Sequence, residues 1–195
     1  MKKGVPIQKS TSLINPGCVV LATVKFNEQS NIITLAWQTP LSINPKLLGI
    51  SVGFKRYSHE MIMNAKEFAI NIPGKNLLKE THGCGRISGK NTDKFEHFNL
   101  THEKSQHISS PGIKECLGII ECQLENHFTT GDHTFFVGKV LGASVEERAY
   151  NFDKNSWDKE MCDLFEMPFD VFPPIKNSTD QAGTVTTRAA AETGL

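Results

Sequence analysis

The segment CLGIIECQLENHF (residues 116–128), TTGD (129–132) and HTFFVGKVLGASV (133–145) reads as two long strands joined by a tight turn with Gly131-Asp132 at its centre. The same period of two runs outward from it. Upstream, CVVLATVKF (18–26) and IITLAWQT (32–39) are β-branched and apolar and flank the turn residues NEQSN (27–31), a second hairpin signal. Between the hairpins, KLLGISVG (46–53) and the alternating EFAINI (67–72), stopped by Pro73-Gly74, add two more strands, with Pro40 and Pro45 bracketing a loop. Helical pattern is limited to short stretches, chiefly 59–65 and 75–81. Six or so strands with almost no βαβ alternation predict a mainly β, antiparallel barrel with short helices.

Length and charge bound the function. A chain of 195 residues can bury a core without staples. Its 21 Lys+Arg balance 21 Asp+Glu, so nothing drives it broadly toward nucleic acid or an anionic membrane, and any positive site must be local. No run of eighteen apolar residues occurs and no apolar stretch follows the basic start at Lys2-Lys3, which predicts a soluble, unexported, cytoplasmic protein. Five cysteines, an odd number, fit a reducing compartment. Cys116 and Cys122 are placed on one strand face roughly 20 Å apart, at about 3.3 Å per residue, too far to bridge or to share a metal. Cys18 and Cys162 read as small buried hydrophobes. Cys84 stands apart: the run 81–86, Thr-His-Gly-Cys-Gly-Arg, reads as a glycine-rich loop whose arginine would lower a thiol pKa. No CxxC or HxxxH spacing supports a metal site.

The sharpest local signal is Phe54-Lys55-Arg56-Tyr57-Ser58, a helix start directly after the strand 46–53. Two cations beside a capping serine, with free helix amides behind them, describe a phosphate site. From Gly83 to Pro111 the composition turns polar, an excursion long enough to have a function of its own. Within it, Thr92 or Asp93 is placed to cap a short helix over 94–97. Residues 1–14 form an N-terminal arm, 15–146 the barrel domain, 147–176 an aromatic arm packing on the barrel or on a partner subunit, and 177–195 a weakly apolar, disordered or non-native tail.

The order of these motifs resembles a known family. Residues 31–37 (NIITLAW), 40–42 (PLS), 56–58 (RYS), 67–73 (EFAINIP), 84–89 (CGRISG), 93–95 (DKF) and 131–138 (GDHTFFVG) are together similar to the flavin reductase-like, flavoredoxin-type FMN-binding split barrel, a six-stranded antiparallel Greek-key fold. The resemblance covers about residues 15–145. It implies a homodimer with non-covalent FMN in a groove at the subunit interface, and electron transfer between NAD(P)H or a small redox protein and an acceptor such as free flavin.

It also implies the contacts. Asn31, Thr34, Leu35, Ala36 and Trp37 would border the isoalloxazine, the small Thr34 and Ala36 sharing a face and Trp37 pointing away. Ser51, Val52, Arg56, Tyr57 and Ser58 would serve the ribityl and phosphate oxygens, with Tyr57 standing where relatives often carry threonine or a similar polar residue. Cys84, Ser88, Gly89, Lys94 and Phe95 would shape the pocket from the other side. His133, at the barrel rim, would lie near the reactive face of the flavin and the nicotinamide. A dinucleotide fingerprint is absent, which such reductases do not need. Two other readings stay open: an FMN carrier, storage or sensor module without turnover, and the same barrel holding haem or another flavin.

Overall fold

The computed structural model describes residues 18–151 and 156–157. The 1–14 arm, nearly all of the 147–176 arm and the 177–195 tail therefore lie outside the described residues. The first hairpin pairs β1 (Val20–Phe26) with β2 (Gln29–Leu35). Its turn is tighter than the sequence pattern predicts, since Asn27 and Glu28 alone carry it with φ of 48° and 62°, the left-handed pair of a type I′ turn. The predicted strand 32–39 is broken. It bends at Ala36-Trp37, and β3 (Gln38–Ser42) leaves to pair with β4 (Leu47–Gly53), which makes the sheet seven-stranded rather than six.

After β4 come α1 (Tyr57–Ala65) and β5 (Glu67–Ile72); a 3-10 turn (Lys75–Leu77) leads into α2 (Leu78–Arg86). Next come α3 (Lys94–His97) and the two-residue strands β6 (His102–Glu103) and β7 (Gly112–Ile113). The long hairpin follows as predicted, β8 (Gly118–Thr130) and β9 (His133–Val145). Its turn requires Gly131, whose φ is 62°. A last ladder pairs β10 (Tyr150–Asn151) with β11 (Ser156–Trp157).

The main sheet runs β2-β1-β5-β8-β9-β4-β3. Its two edges, β2 and β3, are joined by only Ala36 and Trp37, so Leu35 and Gln38 lie at most about 11 Å apart along the chain. A seven-stranded sheet with its edges tied together must curl into a barrel, and it stays split because those edges pair with β1 and β4 and not with each other. The interior holds Val20, Val24, Ile33, Ile50, Val52, Phe68, Ile70 and Phe136, plugged by Met61 and Ile62 of α1. A second cluster, on the outer face of β1 and β2, takes Leu21, Ile32, Leu77, Cys84, Phe95, Leu100 and Ile113 under α2 and α3. Burial on both faces is why β1 and β2 read as continuous apolar runs.

The 83–111 excursion is less free than its composition predicts. The Glu121 carboxylate accepts from the amides of Gln106 and His107, and Glu67 Oε1 accepts from those of Ser109 and Ser110. Buried Asn71 accepts from Ile113 N at 2.7 Å. These bonds hold a polar loop on the barrel without apolar burial. Phe136 is fully buried at the barrel centre. Phe136→Ala should therefore cost about 3–5 kcal/mol of unfolding free energy, read from the denaturant midpoint at unchanged m-value.

Candidate functional site

Where the barrel edges meet, a groove of about 360 Å³ opens, within the size range of cofactor pockets. One wall is β2 with the Ala36-Trp37 corner. The opposite wall is Ser51 and Gly53 of β4, then Lys55 to Ser58 at the start of α1. The end of α2 with Ile87 to Gly89 forms the third side, with Lys94, and His133 of β9, paired with Gly53, completes the lining.

At the cationic end, α1 has no side-chain N-cap. The capping position falls to Arg56, so the predicted cap, Ser58, lies inside the first turn and is 1% exposed. It serves differently: Asn31 Nδ2 donates to Ser58 Oγ at 2.8 Å, tying β2 to α1. Asn31 Oδ1 is buried with no partner among the described residues, and the α-carbon of Gly89 sits so close to it that any side chain there would collide. A buried acceptor left unpaired costs roughly 1–3 kcal/mol unless a ligand meets it. Lys55, Arg56 and Arg86 are exposed, and their side chains make no hydrogen bond or ion pair with another described residue.

Lys94 is the fourth cation and is 3% exposed. Its ammonium donates to Ile32 O at 2.6 Å and to Cys84 O at 2.7 Å, joining α3 to both β2 and the end of α2. Burial lowers its pKa; the Cys84 thiolate opposes that shift and Arg56 adds to it. Asp93 caps α3 as predicted, accepting from Phe95 N and Glu96 N, which sets Lys94 at the first helical position facing inward.

Beside the turn that starts α1, His133 Nδ1 bonds Asp132 Oδ1 at 2.6 Å, and Phe54 N donates to Asp132 O at 3.2 Å. That bond and the charge of His133 lower the Asp132 pKa. The remaining nitrogen, Nε2, lies beside Gly53, where even a methyl group would come to 3.4 Å. Trp37 packs on His133 with ring centroids 4.9 Å apart. The chain's bend at Ala36 brings Trp37 into the groove, against the expectation that it faces away from Thr34 and Ala36.

The predicted site residues thus converge, with two exceptions. Asn31, Thr34, Leu35, Ala36, Trp37, Ser51, Arg56, Tyr57, Ser58, Cys84, Ser88, Gly89, Lys94 and His133 all line the groove. Val52 points into the barrel core and Phe95 into the outer cluster. Two lining hydroxyls donate within the protein, Thr34 Oγ1 to Thr81 O and Tyr57 Oη to Gln29 Oε1, and two accept, Ser58 Oγ from Asn31 Nδ2 and Ser88 Oγ from Lys90 N. Gly53, Gly85 and Arg86 also line the groove and were not singled out from sequence. The signal for Arg86 was a basic residue closing a helix, hidden because two glycines made that helix read as a loop.

A family model described as the flavin reductase like domain matches residues 12–160. The chain belongs to the flavin reductase-like family. An uncharacterized protein of Archaeoglobus fulgidus is 40% identical over 114 residues, 58% of this chain and 64% of that protein's length. Among solved structures, an FMN-binding protein from Thermus thermophilus with bound 1-cyclohex-2-enone is 26% identical at a TM-score of 0.71, covering 81% of this chain and 85% of that one. The flavoredoxin of Desulfovibrio vulgaris is 25% identical at a TM-score of 0.74, covering 82% and 84%. Membership of the flavin reductase-like family supports a flavin-related function for the chain. Among the described residues no helix is long and apolar enough to cross a membrane.

Among the described residues of this flavin reductase-like chain, Cys84, Cys116 and Cys122 are not poised as thiolates. Contrary to the loop reading, Cys84 sits in α2, and burial pushes its thiol up to about 11 against the opposing pull of Lys94. Burial likewise pushes Cys116 and Cys122 up to about 12. Cys18 is exposed rather than buried. At pH 8 Cys84 is therefore about one part in a thousand thiolate. With Cys162 replaced by serine, a thiol-disulfide exchange reagent at pH 8 should label Cys18 quickly and the other three only after denaturation.

Proposed function

We propose that the chain is an FMN-dependent oxidoreductase of the flavin reductase and flavoredoxin type, passing electrons between NAD(P)H or a small redox protein and an acceptor such as free flavin. The observation that carries this reading is the make-up of the groove. The unpaired side chains of Lys55 and Arg56 and the uncapped start of α1 line it together with Trp37, His133 and the unpaired Asn31 Oδ1.

The residues fit FMN. Arg56 offers a forked donor set and Lys55 a second charge to a terminal phosphate, with the amides of α1 behind them. Asn31 Oδ1, buried and unpaired, can accept from a hydroxyl of a ribityl chain. Ala36, Gly53 and Gly85 bring no bulky side chain to the lining, which leaves room for a flat ring. Bound there, FMN would supply one- and two-electron chemistry that no side chain of the groove offers.

The protein's part is to bind, orient and shield. Trp37 covers one flank and keeps water from it. His133, its Nδ1 committed to Asp132, leaves Nε2 to bond a ligand in the groove. Trp37, Leu41, Phe54 and Phe128 are 41–53% exposed. Such a surface supports a homodimer in which a second copy covers the groove mouth.

Three measurements test the reading. The purified protein should be yellow and release FMN, identified by mass, on denaturation; anaerobic NADH, NADPH or reduced ferredoxin should bleach it. A colourless protein that takes up no FMN contradicts the proposal, and bound flavin reduced by none of the three assigns it to a non-turnover carrier. Arg56→Ala should weaken FMN binding by about 1–3 kcal/mol. His133→Ala should slow flavin reduction while FMN stays bound, and an unaltered rate removes His133 from the mechanism.

A further inference from the structure

The imidazole of His133 is held from three sides. Trp37 packs on it with ring centroids 4.9 Å apart and planes tilted by 40°. Gly53, its pairing partner on β4, lies so near that a methyl group there would come to 3.4 Å from Nε2. On the third side Asp132 Oδ1 meets Nδ1 at 2.6 Å. Asp132 is itself fixed through its backbone, because Gly131 turns the chain with φ of 62° and Phe54 N, from the turn before α1, donates to Asp132 O at 3.2 Å. Flipping the ring would break the Asp132 bond, so each nitrogen keeps its place.

This pair does little for the fold. The Asp132 side chain is 93% exposed, and a contact so exposed adds next to nothing to stability. Its effect falls on the ring instead. The bond from His133, then the charge of His133 and more weakly that of Lys55, hold the Asp132 carboxyl below its usual range, so it is ionised at neutral pH. An ionised carboxylate only accepts. On the neutral imidazole the single proton therefore sits on Nδ1, and Nε2 is left as a bare acceptor, the reverse of the tautomer that free histidine favours in water. Among the described residues Nε2 has no hydrogen-bond partner, and His133 stands in the groove lining.

We propose that Asp132 is a positioning residue of the groove: its carboxylate fixes His133 in the Nδ1–H form, so that Nε2 accepts a hydrogen bond from a hydroxyl or ring N–H of the bound flavin. This rests on the flavin reading above and extends it from the presence of an imidazole to its tautomer. Asp132 acts only through His133.

The tautomer can be read in the apoprotein, without turnover, from two-bond proton–nitrogen spectra of protein carrying isotope-labelled histidine at pH 8, with His133 assigned by its loss in His133→Gln. The parent should show the Nδ1–H pattern at His133, and FMN should shift its Nε2 signal. Asp132→Asn should move the residue toward the Nε2–H pattern while the thermal unfolding midpoint stays within about 2 °C, and Asp132→Glu should restore part of the Nδ1–H population. In FMN-loaded protein Asp132→Asn should slow flavin reduction about tenfold, the effect of losing one charge-assisted hydrogen bond. The double variant with His133→Ala should be no slower than His133→Ala alone. The proposal is overturned if the parent shows an Nε2–H or doubly protonated His133, if FMN leaves Nε2 unshifted, if Asp132→Asn leaves tautomer and rate unchanged, or if the double variant is slower than His133→Ala. Failure of the underlying flavin reading is distinct, because then the apoprotein takes up no FMN, whichever tautomer it shows.

Discussion

The two-residue connection between the edges of the sheet is the constraint on which the rest depends. Because β2 and β3 are opposite edges and only Ala36 and Trp37 separate them, the sheet cannot lie open. Closing it turns the inner faces of β1, β4, β5 and β9 toward one another and creates the core around Phe68 and Phe136. The same closure leaves a corner where backbone changes direction, and there the inner wall of β2, the end of β4 and the start of β9 meet. The groove is the unpaired remainder of a barrel that does not quite shut.

Around that corner several polar groups are committed to the protein itself. The Lys94 ammonium would be costly to bury alone; two short bonds to carbonyls offset the desolvation and lock α3, β2 and α2 together. The Asn31 to Ser58 bond does the same for β2 and α1. Rigid walls matter because ordering side chains on binding costs affinity, and these are ordered beforehand. What remains uncommitted, the exposed cations, Asn31 Oδ1 and His133 Nε2, is then what a ligand would meet.

Much of this was legible in the sequence. Alternation identified the long hairpin because β8 and β9 turn one face to the core, and Gly131-Asp132 is a turn signal that depends only on local sterics. Asp93 was readable as a cap for the same reason. The break at Ala36-Trp37 was not, since 32–39 is uniformly strand-forming and nothing local marks the bend; sheet closure imposes it. Trp37 therefore turned to the other side. The helix over Cys84 was masked by Gly83 and Gly85, residues that lower helix propensity but permit close packing on Phe98 and Thr34. Val52 and Phe95 fell out of the site because neighbours in sequence share a segment but alternate between core and groove.

The central claim is that a flavin lies with its phosphate at the α1 turn and its ring beside Trp37. In a Trp157→Phe chain, Trp37 is the sole tryptophan, and its fluorescence during a flavin titration tests this directly. The account predicts quenching that saturates at one FMN per chain, with riboflavin, which lacks the phosphate, binding at least tenfold more weakly. Trp37 emission that ignores FMN, or equal affinity for FMN and riboflavin, would contradict it.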